Sequence, residues 1–126
     1  MVYVAGKYLD SYSNPTEDGT MENINKAIDI GMEMYEESEH KVVPMIPHLN
    51  YMIEKRLKQT SKEVRKNEYW YEYDNVGIPN CNALLRICIG GFSKGADAEW
   101  ELAKVLGIPT FTLIQQVIDF ERSIRQ

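Results

Sequence analysis

Apolar positions along the chain form short runs that alternate with stretches of helical periodicity. Val2–Ala5 is an apolar run ended by Gly6, which reads as a buried strand. Residues 7–21 crowd Ser, Asn, Pro, Asp and Gly together and read as a loop. Ile24, Ala27, Ile28, Gly31, Met32 and Tyr35 then fall at i, i+3, i+4 spacing. They predict an amphipathic helix over 21–38 with an acidic outer face and Thr20 as its cap. Lys41–Pro47 carries Val42, Val43, Met45 and Ile46, a second strand closed by proline. Residues 51–73 are helix-biased but mixed, ending in the aromatic segment Tyr69, Trp70, Tyr71 and Tyr73. The run Ala83–Ile89 predicts a third strand, turning at Gly90, Gly91 and Ser93. Ala96–Leu106 predicts a helix facing inward through Ala98, Leu102, Val105 and Leu106, with Gly107 after its end and Pro109 beyond. Thr110–Ile114 reads as a fourth strand and Val117–Ile124 as a terminal helix.

Strands that alternate with helices imply βαβ units. The fold class expected is α/β: a three-layer Rossmann- or flavodoxin-like sandwich around a mainly parallel sheet of four to five strands. Residues 1–126 make one domain, with no repeat, linker or low-complexity tract. In such sheets ligands sit beyond the carboxyl ends of the strands. That selects the loops Gly6–Asp10, Pro47–Tyr51, Gly90–Gly95 and the one after Ile114.

Charge and composition narrow the partners. Fourteen basic and 19 acidic residues give a formal charge of −5, which argues against a protein that grips nucleic acid polymers. No apolar run approaches the ~20 residues that span a bilayer, and the first ten residues show no signal-peptide pattern. No membrane partner is expected, and the compartment expected is cytoplasmic. Cys81 and Cys88, with only His40 and His48 elsewhere, make a poor metal site and read as two reduced thiols.

Four segments could carry chemistry. Gly90–Glu99 places a flexible turn between a buried strand and a helix, where backbone N–H groups favour an anion. Ser93 offers a hydroxyl, Gly95 close backbone approach, and Glu99 a carboxylate in the same space. Read alone, it is at least as well an ordinary strand-to-helix turn. Tyr3, Gly6 and Lys7 end the first strand, and Lys7 could meet a phosphate. His48 and Asn50 follow the second strand as hydrogen-bonding groups. Asp74 stands among aromatics, where its pKa could rise and suit it to proton donation. Each of these also has a plain structural reading.

Taken together, the segments resemble the nucleoside 2-deoxyribosyltransferase-like family, in particular a small bacterial and phage branch. The carriers are VYVAG, TMENINKAIDIGMEMYEE, VVPMIPHLN, YDNVGIPNCNALLRI and SKGADAEWELAKVLGIPT, and the most specific is Ser93-x-Gly95-x-x-x-Glu99. The resemblance implies Glu99 as the nucleophile at an anomeric carbon, Asp74 as the acid that helps the nucleobase leave, and Tyr3 as the residue that orients the glutamate. It implies Ser93 as a contact to a 5′-phosphate, where transferases acting on free nucleosides carry aspartate. Asn82 stands where the branch usually has an acid. A looser similarity links GGFSKGADAE to the phosphoribohydrolase motif, which would leave the reaction class nearly unchanged.

The expected function is therefore cleavage or transfer of the N-glycosidic bond of a (deoxy)nucleoside 5′-monophosphate, with no metal and no cofactor. The partner is a small nucleotide or nucleoside. The alternatives are a non-catalytic protein that senses or sequesters a nucleotide on the same fold, and an interaction module presenting residues 69–73. Assembly into a homodimer or higher homo-oligomer is expected, through apolar surface at Met32, Met34, Trp100 and Val117–Phe120.

Overall fold

The computed structural model describes residues 1–7, 16–50, 56, 74–87 and 94–124. The helix-biased stretch 51–73 with its aromatic segment, the Gly90–Ser93 turn, Cys88 and most of the first loop lie outside the described residues, apart from Arg56.

Four parallel strands form the sheet: β1 (Val2–Ala5), β2 (Pro44–Met45), β3 (Ala83–Arg86) and β4 (Thr110–Phe111), in the order β2-β1-β3-β4. Among the described residues the helices that cover it are α1 (Glu17–Glu37), α2 (Lys94–Val105) and α3 (Ile114–Ile124). The chain leaves β1 toward β2 and returns to the other side of β1 as β3. The β1/β3 boundary is thus the switch point of a doubly wound, Rossmann-like α/β arrangement.

Side chains alternate along a strand, so each strand feeds two cores. Val2 and Val4 of β1, with Ala83 and Leu85 of β3, point to the face covered by α1 and α3 and pack with Ala27, Met34 and Val117. Tyr3, Ala5 and Leu84 point to the opposite face, against Ile78, Cys81 and Ala103, with Trp100 of α2 alongside. The Cys81 thiol lies 3.7 Å from the Met45 sulfur, and burial pushes its pKa up.

Several elements differ from the sequence pattern for identifiable reasons. α1 begins a turn earlier than expected. Thr16, in extended backbone, caps it by accepting from the Gly19 N–H at 3.1 Å, and Glu17 and Asp18 suit the positive end of the helix. Thr20 is buried inside the helix instead. The inward stripe of α1 includes Met34, fully buried, while Met32 is half exposed. Val117 and Ile118 are also buried, and Phe120 packs on Phe111 with ring centroids 5.5 Å apart. Met34, Val117 and Ile118 therefore belong to the chain's own core. The second and fourth strands are cut to Pro44–Met45 and Thr110–Phe111, and among the described residues they form the two edges of the sheet. α3 starts at Ile114, so the loop after β4 is Thr112–Leu113.

The largest revision is in α2. Its sheet-facing stripe is Ala96, Glu99 and Ala103, all buried, while Ala98, Val105 and Leu106 face outward. Val105 is 82% exposed. The helix ends as expected: Gly107 takes φ +74°, its N–H donates to Lys104 O at 3.1 Å, and the Ile108 N–H donates to Ala103 O at 2.9 Å. Among the described residues no helix is long and apolar enough to cross a membrane.

Candidate active site

A carboxylate on the buried stripe of a helix is the starting point. Ala96 and Ala103, one turn to either side of Glu99, are small enough to bring α2 close to the sheet. Glu99 is thereby pressed toward β1, where Tyr3 projects from the same face. The Tyr3 phenol is fully buried and donates to Asp74 Oδ1 at 2.5 Å. The Glu99 carboxyl stands near enough to act electrostatically on that phenol. Asp74 belongs to a helical turn over 74–77 that continues into the 3-10 turn Ile78–Asn80. Gly77 lets that turn sit against the tyrosine: a Cβ there would stand 2.7 Å from Met45 Cε and 3.5 Å from Tyr3 Cε2.

One phenol thus stands between two carboxyl groups in a poorly hydrated site. Burial and the neighbouring Asp74 charge push Glu99 up to about 8, while the Tyr3 hydrogen bond and the Arg86 charge act in the opposite direction. Burial also raises Asp74, against the stabilising bond from Tyr3. Tyr3 is driven well above the ordinary phenol range by burial, then by the two acids, so it stays neutral and keeps its proton. A phenol has one O–H and can donate to only one carboxyl at a time. The arrangement therefore holds a proton on one acid while leaving the other charged.

Arg86, the last residue of β3, ion-pairs through Nη2 with Asp97 Oδ1 in the first turn of α2. Neither residue stood out in the sequence. The available signal was a lone arginine inside the apolar run of the third strand.

The remaining candidates take structural positions nearby. Gly6 follows β1, where a Cβ would collide with Ile87 Cγ1. His48, in the 3-10 turn Pro47–Leu49, is buried, and its Nε2 lies 3.3 Å from the Lys7 carbonyl oxygen, tying that turn to the end of β1. Burial lowers its pKa, so the imidazole is neutral. Asn50 donates to Pro47 O at 3.2 Å and closes its own turn. Gly95 is exposed in the first turn of α2, and Ser93 lies outside the described residues. Asn82 accepts from the Met1 ammonium at 2.8 Å, just before β3 begins and thus at the opposite end of the strand from Arg86.

The structure thus brings together Tyr3, Asp74 and Glu99, drawn from three separate parts of the chain. No protein-family model, curated protein or solved structure matches this chain.

Proposed function

We propose that the protein cleaves or transfers the N-glycosidic bond of a (deoxy)nucleoside 5′-monophosphate, with Glu99 as nucleophile, as its sequence resemblance implies. The observation that carries the reading is the buried Glu99–Tyr3–Asp74 cluster beside the β1/β3 switch point. Two carboxyl groups suit an oxocarbenium-like transition state, one to capture the sugar and one to protonate the leaving group.

In this reading Tyr3 sets the protons. In the resting site Glu99 is protonated and donates to the phenol oxygen, and the phenol donates to Asp74. Moving both protons one step leaves Glu99 as a carboxylate and Asp74 as an acid, with no change in net charge. The Glu99 oxygen then attacks C1′ as the C1′–N bond breaks, and the Asp74 proton goes to the departing base. Water or a second base attacks the glycosyl ester, releases Glu99, and returns a proton to Asp74. Ser93, Gly95 and the positive end of α2 are the groups that would receive the 5′-phosphate.

A second reading has its own support. A Glu99 raised to about 8 is mostly protonated at neutral pH, which suits a site that binds a nucleotide without turning it over. Incubation with a panel of nucleoside monophosphates, followed by chromatography of free bases, separates the two. Base release, with monophosphates preferred over nucleosides, supports the enzyme. Tight binding with no release supports the sensor.

A further inference from the structure

Arg86 is a charged side chain at the end of an otherwise buried strand. Its register partner on β1 is Ala5, on the same face of the sheet as Tyr3. Its guanidinium is three-quarters buried and held by Asp97. Asp97 and Glu99 are two residues apart on α2, so they point in different directions. Asp97 meets Arg86 toward the rim, and Glu99 turns inward to the sheet.

The groups facing Glu99 explain why an arginine matters here. Among the described residues they are Tyr3 from β1, Asp74 from the turn 74–77 and Arg86 from β3, with Asp97 on its own helix. Tyr3 is neutral and Asp74 is an acid. Arg86 is thus the favourable charge in this set. Its planar fork can hold Asp97 with one edge and leave its field on the cluster.

We propose that Arg86 is the positioning residue for Glu99: clamped by Asp97, it fixes the first turn of α2 over the end of β3 and supplies the counter-charge that lets Glu99 ionise. The inference rests on the reading of Glu99 as the acting carboxylate. It assigns Asp97 a distinct part, which is to hold the guanidinium at a set distance and to draw off part of its field.

The test is the titration of the Glu99 side-chain carboxyl, followed by 13C NMR and assigned with Glu99→Gln. It is run on the whole protein and needs no substrate. In Arg86→Met the midpoint should rise by about one pH unit, the scale on which a nearby opposite charge acts. Arg86→Lys keeps the charge and should restore most of that shift. Asp97→Asn removes a negative charge and frees the guanidinium, so the midpoint should fall. A purely structural clamp would loosen alike in Arg86→Met and Asp97→Asn and move both midpoints the same way. That result, or an unmoved midpoint in Arg86→Met, overturns the proposal. If Arg86→Met does not fold, Asp97→Asn decides by the sign of its shift. Base release by the wild type alongside an unmoved titration would remove Arg86 and leave the proposed function standing. The expected shifts without base release on any nucleotide would do the reverse.

Discussion

The two faces of the sheet are built from the same strands by opposite rules. On the α1/α3 face, Val2, Val4, Ala83 and Leu85 meet Ala27, Met34 and Val117 in an apolar cluster, while α3 also buries Glu121 and α1 buries Asn23. On the α2 face, the same strands present Tyr3 and Arg86, and the covering helix presents Glu99. The apolar cluster of the first face stabilises the fold by roughly 1.5–3 kcal/mol for each large apolar side chain fully buried. The second buries ionisable groups whose desolvation works against folding. Folding alone would favour a leucine or alanine at position 99. A glutamate held there with a phenol and a second acid is what makes this face the candidate site.

That contrast can be broken by substitution. The largest effect expected is on turnover in Glu99→Gln, which keeps the shape of the side chain but cannot act as a nucleophile. Base release should fall by about 10³-fold or more, as read by chromatography. Near-normal release would remove Glu99 from the mechanism. Tyr3→Phe removes the bridge between the two acids and should cost roughly 10²-fold in turnover, while the fold persists because the ring still fills its place. Leu85→Ala, on the apolar face, should lower unfolding stability by about 3 kcal/mol in denaturant titration and leave the Glu99 titration where it was. The smallest effect lies outside both faces. Just after α1, Glu39 and His40 take φ +57° and +66°, conformations that L side chains adopt at a cost. Glu39→Gly should therefore stabilise the protein by roughly 1 kcal/mol, and a fall in stability would contradict that account.

Much of this plan was legible in the sequence. β1 and the core of β3 stand out because they are buried on both sides and read as unbroken apolar runs. Gly107 marks the end of α2 because its positive φ suits glycine. The face of α2 departs from its hydrophobic periodicity for a physical reason. Its true stripe contains Glu99, so hydrophobic periodicity selects Val105 and Leu106, which lie on the outside. The residue that hides the face is the same one singled out by its chemistry. The Glu99–Tyr3–Asp74 meeting could not be read from spacing, because it depends on the β1/β3 pairing and on the close approach at Gly77. Arg86 was hidden by the apolar run around it, and its role depends on a partner eleven residues away.

Glu99 is buried largely protonated, at a cost to folding once it must ionise. An unfolded glutamate titrates near 4.5, and the folded one is raised to about 8. The folded state therefore binds the extra proton between these values, so unfolding stability falls as pH rises from about 4.5 to about 8 and then levels off. Glu99→Gln has no proton to lose at this position. The decisive measurement is denaturant unfolding of wild type and Glu99→Gln at pH 5 and at pH 8.5. The two should be close at pH 5, and the variant should be the more stable at pH 8.5 by about 4 kcal/mol. Equal stability differences at both pH values, or a variant that is less stable at pH 8.5, would contradict it.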